Sequence, residues 1–178
     1  AEGLEPRSMV LRMFAIFDGV KTSYARALTL ARRIAAALGA AGFGPGAHAA
    51  VLSPNDPVAF AAAFGIFGAG MAYVPANPHN APAAIASAMN LVDVRVLFYH
   101  GAMAPLVAEI RGQLPKVDLF IALDAPCNGD PTLEVFIAGH DSSAPQPFVA
   151  LADTAFVGQT GGTTGEPKGV LLSHRAVF

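Results

Sequence analysis

Residues 159–169 read Gln-Thr-Gly-Gly-Thr-Thr-Gly-Glu-Pro-Lys-Gly, and no other part of the chain packs glycine, hydroxyl and lysine so densely. Gly161, Gly162 and Gly165 carry no Cβ, so backbone N–H groups there can converge on an anion. Thr160, Thr163 and Thr164 add hydroxyl donors, Lys168 adds a mobile positive charge, and Pro167 fixes the backbone just before it. Together these groups suit a polyphosphate. They do not make the common P-loop, which has glycine directly before the lysine and Ser or Thr after it; here Pro167 and Gly169 stand in those places. A glycine-rich hairpin turn is the plain alternative, but a turn has no use for three threonines and a lysine at fixed offsets. The donors lack a partner until phosphate arrives, so 160–167 is expected to order on nucleotide binding.

The elements that must position this loop can be read from the apolar pattern. Ser23 can cap a helix over 24–41, with Ala27, Leu30, Ala31, Ile34, Leu38 and Ala41 on one face, and Gly42 and Gly44-Pro45-Gly46 stop it. Residues 48–53 form a short buried strand, and Asp56-Pro57 then opens a helix that aligns Phe60, Phe64 and Phe67. Strands at 71–74, 95–99 and 118–123 alternate with helices at 83–92 and 104–114, which indicates an α/β fold with a mostly parallel sheet and flanking helices. Residues 124–147, rich in Pro, Gly, Asp and Ser, read as a long loop or linker. A strand at 154–159 runs straight into the phosphate-type loop, a strand at 169–172 leaves it, and Ser173 looks like the cap of a helix beginning at His174. His174 is then a helix-start residue rather than a catalytic base, and the three phenylalanines and Tyr73 are core rather than pocket.

Composition sets the outer limits. The chain has 178 residues, 53% hydrophobic and only 13% charged, which suits a packed domain and excludes a disordered one. Net charge is -2 without a basic stripe, so nucleic acid is not an expected partner. One cysteine, Cys127, makes no internal disulfide, and no Cys/His cluster has metal-ligand spacing, which points to a cytoplasmic setting without a metal site in this chain. The uncharged stretch 58–76 has nearly the length of a membrane span but is broken by Gly65, Gly68 and Gly70; a buried helix entering a buried strand explains it better.

The run Thr160-Gly161-Gly162-Thr163-Thr164-Gly165-Glu166-Pro167-Lys168-Gly169-Val170, followed by Leu172-Ser173-His174-Arg175, closely resembles the phosphate-loop signature of the acyl-adenylate-forming (AMP-binding) superfamily. Thr22-Ser23-Tyr24, Val51-Leu52-Ser53-Pro54-Asn55 and Ala72-Tyr73-Val74-Pro75-Ala76-Asn77-Pro78 resemble further landmarks in family order. The likeness is greatest to fatty-acid-type acyl-CoA synthetases. It implies that residues 1–178 are an N-terminal portion of the adenylation domain, with the phosphate motif at 159–170 and the C-terminal domain absent. It also implies a two-step reaction. A carboxylic acid, in this group a fatty acid, attacks Mg-ATP to give an acyl-adenylate and pyrophosphate, and coenzyme A then takes the acyl group.

On this resemblance Thr160, Gly161, Gly162, Thr163, Thr164, Gly165 and Lys168 bind the β- and γ-phosphates, with Lys168 neutralising charge on the departing pyrophosphate. The family usually has serine where this chain has Gly161, so one neutral donor is missing, a loss of about 0.5–1.5 kcal/mol. The Mg2+ ligand, the ribose-binding acid and a catalytic lysine are expected in segments beyond residue 178. The alternatives are an acyl-AMP ligase serving a carrier protein, an amino-acid adenylation domain, and a non-catalytic nucleotide-binding module. Because those segments are expected elsewhere, residues 1–178 alone should show no carboxylate-dependent pyrophosphate exchange into ATP. Exchange above a protein-free blank would contradict that expectation.

Overall fold

The computed structural model describes residues 13–17, 20–159 and 169–178. It begins with an antiparallel pair that the apolar pattern did not announce, β1 (Met13–Phe17) and β2 (Val20–Ser23), with Phe17 opposite Val20. Ser23 ends β2 and caps α1 (Tyr24–Ala40), its hydroxyl accepting from the Arg26 N–H at 3.2 Å. α1 stops where Phe43 N–H donates to the Leu38 carbonyl at 2.9 Å and Gly42, at φ +84°, donates to Gly39 at 3.1 Å. This is a Schellman closure, which needs a residue able to adopt the left-handed region.

β3 (His48–Leu52) leads to α2 (Pro57–Gly68). The Asp56 carboxylate accepts from the N–H groups of Val58 and Ala59 at 2.6 and 3.2 Å, and Pro57 occupies the first turn, where it loses no intrahelical bond. β4 (Ala72–Ala76), α3 (Pro82–Leu91), β5 (Val94–Tyr99), α4 (Ala104–Ile110) and β6 (Leu119–Ala122) follow in the expected alternation. The stretch 58–76 is α2 running into β4, as expected, and no helix among the described residues is long and apolar enough to cross a membrane. Residues 124–147 are not all loop. They contain α5 (Leu133–Phe136), capped by Thr132, whose Oγ1 accepts from the Val135 N–H at 3.3 Å. One turn of helix is too short to show a 3.6-residue period. β7 (Thr154–Gln159), β8 (Gly169–Ser173) and α6 (His174–Val177) complete the chain.

Among the described residues the main sheet has six strands in the order β6-β5-β3-β4-β7-β8. All neighbours are parallel except β7 and β8, which form an antiparallel pair. Alternate strand residues separate two cores. Ala49, Val51, Val96, Phe98 and Ile121 face α1, α2 and α5, while Ala50, Leu52, Val74, Leu97 and Tyr99 face α3 and α4. The chain therefore turns to one face after β3 and to the other after β5, and these adjacent strand ends form the topological switch point of the sheet.

The closest helix contact lies between α1 and α2. A Cβ on Gly65 would stand 2.6 Å from Ile34 Cγ2 and 3.0 Å from the Ala31 carbonyl oxygen. Only glycine lets the two axes approach this far, and Ile34, Leu38 and Ile66 are fully buried as a result. Each such side chain contributes about 1.5–3 kcal/mol of hydrophobic stabilisation. Gly65→Ala should therefore lower unfolding free energy by about 1–3 kcal/mol through overpacking, despite alanine's better helix propensity. Equilibrium denaturation measures this, and an unchanged or raised midpoint would refute the contact.

Candidate functional site

β7 and β8 fix where the phosphate-type loop begins and ends. β7 runs parallel to β4 with Phe156 beside Tyr73, so Gln159 lies at the carboxyl edge of the parallel strands, level with Ala76. β8 returns antiparallel, with Gln159 opposite Gly169, Gly158 opposite Val170 and Val157 opposite Leu171. Paired Cα atoms in such a ladder are about 4.5–5.5 Å apart, so the two ends of the loop are held together. Thr160, Gly161, Gly162, Thr163, Thr164, Gly165 and Lys168 themselves lie outside the described residues, as does the expectation that 160–167 orders on nucleotide binding.

A groove of about 250 Å³ runs between α2 and the strands β3 and β4, and reaches the carboxyl edge at Ala76. Ser53, Asn55 and Asp56 line it together with Phe60, Phe64, Phe67 and Tyr73. The phenylalanine row was expected in the core. Instead Phe60 is 57% and Phe64 44% exposed. The cause is α2's composition: the helix is apolar on every side, so its pattern does not say which face turns inward. The contact with α1 decides it. Ala59, Ala62, Gly65 and Ile66 are small or slim enough to face Ile34 and the sheet, and the bulky rings are displaced outward.

Phe67 ties the groove to the end of the β7–β8 ladder remote from the loop. Its ring makes edge contacts with Tyr73 at 5.8 Å, Phe178 at 5.4 Å and His174 at 6.2 Å, and Tyr73 in turn meets Phe156 at 5.8 Å. α2, β4, β7 and α6 are thereby locked together by aromatic pairs worth about 0.5–1.5 kcal/mol each beyond their buried area. Burial raises the Tyr73 hydroxyl above its ordinary pKa, so it stays protonated and available as a donor at neutral pH.

His174 sits far from the loop. It follows β8 at the end of the ladder where Ser173 pairs with Thr154, Ser173 itself lying about 13 Å along the strand from Gly169 at ~3.3 Å per residue. Its N–H donates to the Asp153 carbonyl at 3.0 Å, and its ring stacks on Phe178. The helix-start reading holds, with one difference: Ser173 has the extended backbone of a cap, but its hydroxyl accepts no bond from α6. Sequence reasoning also missed a polar cluster at the end of β5, where Tyr99 and Arg111 converge on Asp130; only structure brings these together.

The family profile described as AMP-binding enzyme matches residues 7–178. The chain belongs to this family. It is 36% identical over 159 residues to a long-chain-fatty-acid–CoA ligase of Thermus thermophilus, covering 88% of this chain and 29% of that protein. It is 31% identical over 163 residues to a 3-methylmercaptopropionyl-CoA ligase of Ruegeria pomeroyi, covering 88% of this chain and 30% of that one. The chain thus spans less than a third of the length of these curated relatives. The solved structure of an anthranilate CoA ligase in complex with anthranoyl-AMP superposes with a TM-score of 0.86 over 94% of this chain and 33% of the other, at 22% identity, which establishes the shared fold.

His174 Nε2 is buried and has no hydrogen-bond partner among the described residues. An orphaned buried polar atom costs about 1–3 kcal/mol. His174→Phe, similar in shape and free of that cost, should leave the thermal midpoint unchanged or raised. A marked drop would show that the imidazole makes a bond the aromatic packing does not account for.

Proposed function

We propose that the protein to which this chain belongs activates a carboxylic acid with Mg-ATP and passes the acyl group to coenzyme A. The observation that carries this reading is the signature at 160–170, rooted on the paired ends of β7 and β8 at the carboxyl edge of an α/β sheet. In the first step a carboxylate oxygen attacks the α-phosphorus of ATP, the bond to the bridging oxygen breaks, and pyrophosphate leaves with the displaced electron pair. Thr160, Thr163 and Thr164 and the N–H groups of Gly161, Gly162 and Gly165 donate to phosphate oxygens, and Lys168 neutralises the charge that builds on the leaving group. Mg2+ accompanies ATP and shares that task. In the second step the coenzyme A thiol sulfur attacks the acyl carbon and AMP leaves.

As substrate we assign a fatty acid, supported by the 36% identity to the long-chain ligase. The 31% likeness to the 3-methylmercaptopropionyl-CoA ligase supports a second reading, in which the acid is short. We place the protein in the cytoplasm, where coenzyme A and ATP are both at hand.

Lys168→Ala in the full-length protein should lower adenylation by about 10²–10³, the effect of removing one preorganised stabiliser of developing charge. The measurement is pyrophosphate exchange with a panel of short and long acids. Unchanged exchange in the variant would remove Lys168 from the phosphate site, and the panel separates the two substrate readings.

A further inference from the structure

The segment after β6 crosses the same edge of the sheet and is held there by a network with no part in the reaction above. Tyr99, fully buried at the end of β5, donates its hydroxyl hydrogen to the Asp130 carboxylate at 2.6 Å and accepts from the Cys127 thiol at 3.4 Å. Arg111 pairs with the same carboxylate and lies 3.9 Å over the Phe120 ring. Between Cys127 and Asp130 stand Asn128 and Gly129, at φ +55° and +77°, and the Asp130 N–H donates to the Cys127 carbonyl at 3.0 Å. Positive φ at both central residues marks a type I′ turn, for which Asn-Gly is a preferred pair.

Asn-Gly is also the dipeptide most open to self-modification, because a following glycine leaves its amide nitrogen unshielded. We infer that Asn128 is a latent site of conversion to aspartate and isoaspartate, held off in the folded protein by the Tyr99–Asp130 latch. The Gly129 nitrogen attacks Asn128 Cγ and an N–C bond forms. The bond to Nδ2 breaks, and that nitrogen leaves as ammonia with the proton lost from Gly129. Water then opens the cyclic imide at either carbonyl, giving aspartate or isoaspartate. The sum is one carboxamide and one water converted to one carboxylic acid and one ammonia.

The turn opposes the first step. In a type I′ turn ψ at the first central residue is about +30°, which sets the next nitrogen away from Cβ. The Asn128 carboxamide is pinned as well, its Nδ2 donating to the Ala104 carbonyl at 3.0 Å. Attack therefore requires the turn to open, and the bonds of Tyr99 and Arg111 to Asp130 govern that opening. Once formed, the product cannot return. It loses the Nδ2 donor and adds a negative charge beside Asp130. The isoaspartyl form also lengthens the backbone within the turn, so Cys127 and Asp130 no longer reach Tyr99 together.

The test compares three samples at neutral pH: the intact chain, its Tyr99→Phe variant and a free synthetic peptide of residues 122–133. The mass gain on the fragment carrying residue 128 and its isoaspartyl content by enzymatic methylation are followed over time. The peptide should convert fastest and the intact chain slowest. Tyr99→Phe should speed conversion about ten-fold, the factor that one hydrogen bond to a charged group is worth. Arg111→Gln, which removes a partly exposed partner of Asp130 and spares the core, should also raise the rate if Tyr99→Phe fails to fold. Conversion of the intact chain as fast as the peptide would overturn the proposal, as would no acceleration in the folded variants.

Discussion

The pairing of Gln159 with Gly169 is the constraint on which the site depends. A glycine-rich loop has many conformers, and binding a phosphate with it costs the entropy of choosing one. Fixing both ends in one ladder meets the loop-closure part of that cost in advance. Among the described residues the ladder is anchored through β7 against β4, and the aromatic contacts of Phe67, Tyr73 and Phe156 reinforce that backbone pairing.

That bracing explains an otherwise odd distribution of size along α2. The helix gives its small residues to α1 and the sheet and its rings to the groove side. Gly65 buys the close approach of α1, and the approach forces Phe60 and Phe64 outward, where they line a groove over β3 and β4. Packing on one face of a helix thus sets the chemistry of the opposite face.

Much of this was legible in the residues. Capping by Ser23 and Asp56, the stop at Gly42 and the strand–helix alternation are local signals, and local signals survive without tertiary context. The loop signature was legible for the same reason, since its chemistry is contiguous. What failed was non-local. The outward turn of Phe60 and Phe64 depends on Ile34, which lies on another helix. The network at Tyr99 joins residues from β5, the turn after α4 and the 127–130 turn, and no spacing along the chain announces it. The β1–β2 pair was missed because its register rests on pairing rather than on an apolar pattern.

The architecture also bears on why one lysine can suffice in the loop. In a βαβ unit each helix starts where its strand ends, so α2, α3 and α4 all present their N-termini at the edge onto which the loop ends open. Helix N-termini carry partial positive charge and favour anions nearby. Asp56 offsets that field at α2 by accepting two of its free N–H groups. α3, the helix that follows β4 after residues 77–81, has no side-chain cap and no acid in its first turn. α4 likewise has no side-chain cap and no acid in its first turn, so two of the three N-termini at this edge are left uncompensated. On the function proposed above, oriented backbone dipoles at this edge would favour a polyphosphate in a chain of low charge, and Lys168 would add a mobile charge to them.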